Sequence, residues 1–178
     1  YVPGSYECKQ AMLLSSNDVM PKKWLQPAIQ GRAMASFAMT EPDAGSDVAS
    51  LGTKAERDGD AYVLSGTKTF ISNAGIADFY TVFATTDGAK RDKGIACFVV
   101  PADTPGLRFV KPLVLSSPHP LAEIAFQKGR VPRDPGTRWS VHASVAKRIN
   151  DHRDAPCAVG RSHSTRKRFA SSQPASLL

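Results

Sequence analysis

Several things are scarce or missing in this chain, and each absence removes a class of protein. No run of about 18 or more uncharged apolar residues occurs among its 178 residues, so no segment can cross a bilayer as a helix. Cysteine is limited to Cys8, Cys97 and Cys157, far apart and without a CxxC pair. That spacing supplies neither a disulfide framework nor a zinc site, and it suits a reducing compartment. The first residue is Tyr1, and no basic-then-apolar signal pattern opens the chain, so a fragment of a longer protein is expected. No P-loop, GxGxxG or HExxH occurs, which leaves a nucleoside triphosphatase, a Rossmann enzyme and a metalloprotease without support. No metal site is expected.

Acidic residues thin out toward the C-terminus, and this locates the net charge of +7. Residues 1–130 carry 14 Lys+Arg against 13 Asp+Glu, whereas residues 131–178 carry nine against three, with no glutamate after Glu123. Basicity is therefore a property of the tail and says nothing about the body. The last 48 residues hold eight Val, Ile, Leu or Phe, beneath the roughly 20% at which a highly charged segment stops looking foldable. Disorder is expected from residue 133 to 178.

What is present falls into two textures. Residues 17–31, NDVMPKKWLQPAIQG, carry helix punctuation: Asn17 or Asp18 as cap, Pro21 early and Gly31 past the end. Pro27 predicts a short or broken helix, with Met20, Trp24 and Ile29 as a packing stripe. From Ala35 short apolar runs recur (ASFAMT, AYVLSG, TKTFIS, FYTVFATT, IACFVVP, LRFVKPLVL, AEIAFQ), bounded by turn clusters such as EPDAGSD, SNAG and ADTPG. Such strands predict an antiparallel sandwich or barrel over residues 35–132. Asp58-Gly59 marks a hairpin, and Gly66 a bulge or close backbone approach.

Two segments carry candidate chemistry. In TEPDAGSD, Thr40 closes a strand, Pro42 sets a turn, and Gly45 allows a conformation that other residues avoid. N–H groups around Gly45 and Ser46, with the Ser46 hydroxyl, suit a phosphate without any lysine. The alternative is a plain turn in which Asp43 and Asp47 cap local backbone. In KTFISNAG, Phe70 and Ser72 share one strand face and Ile71 takes the other. A ring beside a hydroxyl suits a flat ligand, and packing inside the barrel is the alternative.

FAMTEPDAGSD (Phe37–Asp47) and KTFISNAG (Lys68–Gly75), the GTKAERDGDAYVLSG between them and the later PHPLAEIAFQKGRVP together resemble the middle domain of acyl-CoA dehydrogenases. The upstream KKWLQPAIQGRAMASFAMTEP is similar to the helix and loop leading into it, and the resemblance runs from about Met12 to Pro132. It implies a mainly β fold: an antiparallel β-barrel middle domain at 35–132, a remnant of an N-terminal helical domain at 1–34, and a basic, disordered or frameshifted tail at 133–178. The implied activity is α,β-dehydrogenation of an acyl-CoA, with hydride passing to FAD and electrons to an electron-transfer flavoprotein. By motif position Phe37, Met39 and Thr40 would line the flavin, largely through backbone groups. Gly45 and Ser46 would approach the pyrophosphate, with Ser46 also near the acyl-CoA. Phe70 and Ile71 would lie at the isoalloxazine, Phe70 where many relatives have tryptophan. Ser72 would bond near N5, where many have threonine. A homo-oligomer is implied for the full-length protein, with a cytoplasmic location, or the mitochondrial matrix in a eukaryote.

The resemblance also implies what is missing. The family's catalytic glutamate lies in a C-terminal helical bundle that this chain does not show, and neither Glu41 nor Glu123 is a substitute base. In the tail, Arg166-Lys167-Arg168-Phe169 is similar to an Arg-x-x-Phe-Gly segment that reaches a neighbouring subunit's flavin, with Ala170 in place of glycine. The chain alone is expected to be inactive and to retain no flavin. Competing readings are a non-catalytic β-module and a binder of nucleic acid or anionic surfaces through the basic tail. The second lacks a recognised fold motif, and neither nucleic acid nor a membrane is expected as partner.

Overall fold

The computed structural model describes residues 5–13, 19–116, 119–133 and 138–140. Helix α1 (Ser5–Leu13) is followed by a widened turn, Pro21–Leu25, that runs into the short α2 (Gln26–Ile29). The widening has a local cause. Pro27 has no N–H to continue the ladder, and the Gln26 N–H just before it reaches back five residues to the Pro21 carbonyl. Gly31, at φ +71°, ends the helix as expected. Met20, Leu25 and Ala28 are buried, and Trp24 packs on Phe79 with ring centroids 5.1 Å apart. Ile29 departs from the expected stripe and is 60% exposed. Ala28, four residues on from Trp24, takes the inward position that helical spacing dictates.

Eight strands follow: β1 (Ala35–Ala38), β2 (Lys54–Asp58), β3 (Ala61–Ser72), β4 (Phe79–Thr85), β5 (Ile95–Pro101), β6 (Leu107–Pro112), β7 (Leu121–Pro132) and β8 (Arg138–Ser140). They form one sheet in the order β6-β7-β3-β2-β4-β5-β8, with β1 paired to β4. The sheet curls as a half-barrel, in keeping with the expected barrel class. Most pairs are antiparallel, but β1–β4 and β2–β4 are parallel. Thr40 does not close a strand, since β1 ends at Ala38. The sheet also extends past residue 132, because Arg138–Ser140 pair with Ala96–Phe98 of β5. The rest of the expected disordered tail, and the Arg166–Phe169 segment within it, lie outside the described residues.

Both faces of the central strands are covered. Phe79 and Phe83 of β4, with Cys97 and Val99 of β5, pack with Cys8, Met12 and Leu25 of the helical segment. Tyr80 and Val82, with Phe98 and Val100, pack with Leu64, Ile71, Ile124 and Phe126 on the other face. FYTVFATT and IACFVVP read as continuous apolar runs for this reason. The Asp58-Gly59 signal marks the β2–β3 hairpin, with Asp58 opposite Ala61 and Gly59 at φ +58°.

Candidate functional site

Two irregularities in β3 give the site its shape. The first, between Leu64 and Gly66, brings the strand's backbone against Thr53. The second falls between Lys68 and Ile71, where Thr69 and Phe70 have no partner on β7. There the Thr69 N–H turns instead to the Thr40 carbonyl, at 2.9 Å. Phe70 is pushed to φ +55° and its ring is 59% exposed, while Ile71 beside it is 1% exposed. An aromatic side chain at positive φ is a strained arrangement, and strain of this kind concentrates at functional sites. Phe70 is therefore not barrel packing.

Ser72, two residues on, is half-buried and held from several directions. Its carbonyl accepts from the Ser36 hydroxyl at 2.7 Å, and its own hydroxyl lies 3.0 Å from His119 Nε2. The Asn73 N–H donates to the Pro120 carbonyl at 2.8 Å, so the segment entering β7 is stitched along the end of β3. His119 was not a sequence candidate. Its place beside Ser72 depends on a pairing of residues 47 positions apart.

The second wall is the loop after β1. Glu41 and Ala44 exchange backbone hydrogen bonds across Pro42 and Asp43, which makes a tight turn that leaves Gly45 and Ser46 exposed. The N–H groups of Gly45 and Ser46 find no acceptor among the described residues. The reason expected for Gly45 needs correcting: it does not have positive φ, and a Cβ there would meet nothing within 4 Å. What the glycine provides is open space rather than an unusual backbone. Ser46 likewise stands free of the core.

Phe37, Met39 and Ile71 sit inside. The Phe37 ring packs on Phe83 at 5.1 Å, Met39 belongs to the same apolar cluster, and Ile71 to the opposite one. Of the sequence candidates, the structure thus joins Thr40 to β3 at Thr69, next to Phe70 in the chain, keeps Ser72 two residues further on, and presents Gly45 and Ser46 on the loop that follows Thr40. Behind these walls lies an ion pair that the sequence did not single out. Lys68 Nζ donates to Glu41 Oε1 at 2.7 Å and to the Met39 carbonyl at 2.9 Å. The Glu41 carboxylate also accepts from the N–H groups of Gly52 (2.6 Å) and Thr53 (3.0 Å). Burial pushes the Lys68 ammonium down to about 8 in spite of its partner. Burial acts on Glu41 in the opposite sense, but Lys68, helped by Thr53 and the Gly52 N–H, wins and holds its carboxyl below the ordinary range. Glu123, the other glutamate considered, lies 3.9 Å from Lys111 Nζ.

A flat aromatic cofactor with a pyrophosphate fits these residues. An exposed ring lies two residues before a half-buried hydroxyl on β3, and N–H groups without an acceptor among the described residues stand with a hydroxyl on the loop. The family model for the acyl-CoA dehydrogenase middle domain matches residues 36–128. A 3-(aryl)acrylate reductase of Clostridium sporogenes is 46% identical over 100 residues, covering 56% of this chain and 26% of its own. The human mitochondrial short-chain specific acyl-CoA dehydrogenase is 39% identical over 134 residues, 74% of this chain and 29% of its own. The solved structure of PigA with FAD and proline superposes with a TM-score of 0.75 at 28% identity, over 83% of this chain and 39% of that one. The chain thus spans well under half the length of each protein it is similar to.

Proposed function

The chain belongs to the acyl-CoA dehydrogenase family, and we propose that residues 35–132 form the flavin-facing middle domain of an enzyme that dehydrogenates an acyl-CoA thioester. The observation that carries this reading is Phe70, an aromatic residue held at φ +55° and turned out of the core beside Ser72. FAD, when bound, supplies the hydride acceptor for the substrate's β-carbon. The chain's own residues bind and orient. Phe70 offers its ring face to the isoalloxazine, and Ser72 offers a hydroxyl fixed by His119. The Thr40 backbone borders the same edge, joined to β3 through the Thr69 N–H. The Gly45 and Ser46 N–H groups and the Ser46 hydroxyl receive phosphate oxygens of the cofactor or of the acyl-CoA. Phe37, Met39 and Ile71 act from the core, by fixing the backbone that lines the ring.

Removal of the α-proton needs a carboxylate base, and Glu41 is not one. Its oxygens already accept three hydrogen bonds, and its pKa is held down, the reverse of what a base near neutrality requires. Residues 1–34 are, in this reading, the end of an N-terminal helical domain. The base, the acyl pocket and the remaining flavin contacts belong to chain outside residues 35–132. Electrons leave through an electron-transfer flavoprotein, and the full-length protein is a homo-oligomer.

Titration with FAD, followed by the visible flavin absorbance and by acyl-CoA-dependent dye reduction, tests this. Uptake too weak to keep flavin bound through purification, and no dye reduction, are expected, with the affinity falling about tenfold in Phe70→Ala, on the order of one lost stacking contact. A chain that takes up no FAD at any concentration would leave a β-module without cofactor chemistry. Dye reduction by the 178 residues alone would refute the inactivity.

A further inference from the structure

Met39, Thr40 and Glu41 leave β1 and run beside Lys68 and Thr69 of β3. Lys68 Nζ donates to the Met39 carbonyl and to Glu41, and the Thr69 N–H donates to the Thr40 carbonyl. Glu41 then reaches across its own loop to accept from Gly52 and Thr53, 11 and 12 residues further on. Both ends of the 41–53 loop are therefore fastened to one buried ion pair, the near end through the Lys68 ammonium and the far end through the Glu41 carboxylate. That loop carries Gly45 and Ser46, and β3 carries Phe70 and Ser72 just beyond the lysine.

Burying a charge pair is a poor way to gain stability, because both ions lose their hydration and a well-packed apolar pair does as well or better. An apolar pair cannot hold two amides and a carbonyl at set positions, and this charged pair, bonded to all three, can. Lys68 is fully buried and Glu41 is 7% exposed, so their role is exerted through the backbone groups that they hold. We propose that Lys68 and Glu41 are positioning residues that preset the 41–53 loop against β3, so that the Gly45–Ser46 turn and the Phe70–Ser72 segment stand in register before a ligand arrives. This rests on the reading of those two segments as walls of a flavin site, and it names the device that fixes their spacing.

The test uses amide hydrogen exchange by NMR on the 178-residue chain, with FAD titration alongside. In the unmutated chain the Gly52 and Thr53 amides, bonded to a carboxylate rather than to a strand, should exchange about as slowly as Val82 and Phe98 in the β4–β5 ladder. Rapid exchange at Gly52 and Thr53 overturns the proposal without any variant. Lys68→Met alone leaves a buried carboxylate without its cation and can unfold the chain, so the informative variant is Glu41→Gln with Lys68→Met. In that double variant protection should fall about tenfold or more at Gly52, Thr53 and Ala44, hold at Val82 and Phe98, and FAD half-saturation should rise about tenfold. Unchanged loop protection, uniform loss across the β4–β5 ladder, or unchanged FAD half-saturation would each overturn the positioning role. If exchange behaves as expected but the unmutated chain takes up no FAD, the clamp stands and the flavin reading of the loop falls.

Discussion

At Gly66 the backbone leaves no room for a side chain. A Cβ there would stand 2.6 Å from Thr53 Oγ1 and 2.7 Å from Thr53 Cα, at φ +150°. Thr53 cannot step aside: its N–H is on Glu41 and its carbonyl accepts the Thr85 N–H at 2.8 Å. Gly66→Ala is therefore expected to lower stability by about 2–3 kcal/mol, read by urea unfolding. Gly45→Ala, with open space and ordinary φ, should change it by under about 0.5 kcal/mol. The sequence shows two glycines in motif positions but not which constraint acts on each. Position inside a strand-like run was a sound cue for Gly66, whereas the loop path that decides Gly45 is set by Glu41 and its distant partners. Phe70 was legible in the same partial way. Period-two alternation put it opposite Ile71, but the bulge that strains it follows from Thr69 bonding to Thr40, a contact 29 residues away.

Among the elements, β3, α1 and β5 each bury a titratable group, and their signs oppose one another. Lys68 on β3 is lowered to about 8, so between pH 8 and its unfolded value the unfolded chain binds more protons and stability rises with pH. Cys8 on α1 is raised to about 12, and Cys97 on β5 is also raised, in both cases chiefly by burial. From about pH 9 upward the folded state keeps thiol protons that the unfolded chain has lost, and stability falls. One lysine against two cysteines leaves a shallow maximum near pH 9, roughly 0.3 kcal/mol above the value at pH 8, and a decline beyond it. Urea unfolding across this range should show that maximum. It should disappear in the Glu41→Gln, Lys68→Met variant, and Cys97→Ala should soften the alkaline decline. Stability that does not fall between pH 9 and 10 in the Glu41→Gln, Lys68→Met variant would contradict the cysteine burials. These charges explain part of what the sequence hid. The strand runs and the β2–β3 hairpin follow from local turn chemistry and were legible. The parallel β1–β4 contact and the Arg138–Ser140 strand depend on where distant chain happens to lie, and no local pattern records that. Lys68, a charge inside a strand-like run, was the one local sign of the clamp, but its partner lies 27 residues away.

For the molecule as a whole, the decisive property is how much apolar surface the described residues leave uncovered. Phe70, Ile76, Phe109, Val110, Val114 and Leu115 are all exposed, and Val114 reaches 92%. Several of them adjoin. A Cβ at Gly75 would lie 2.9 Å from the Phe109 ring, so that ring rests against the turn that also presents Ile76. Exposed apolar side chains in this number favour association. The neighbouring edge works against strand-to-strand pairing: β6 ends the sheet, but it carries Arg108 and Lys111 and closes on Pro112. Association should therefore proceed through side-chain burial rather than sheet extension. The two routes respond differently to salt and to mutation. Burial-driven association persists or strengthens at high salt, while contacts made by the basic tail weaken within a Debye length. Sedimentation velocity over a roughly tenfold concentration range is expected to show reversible self-association that survives about 0.5 M salt. Val114→Lys should reduce it several-fold and change stability by no more than about 0.5 kcal/mol, because so exposed a side chain adds little to the core. Association abolished by salt and untouched by Val114→Lys would place the contact in the basic tail and leave the apolar face without a role.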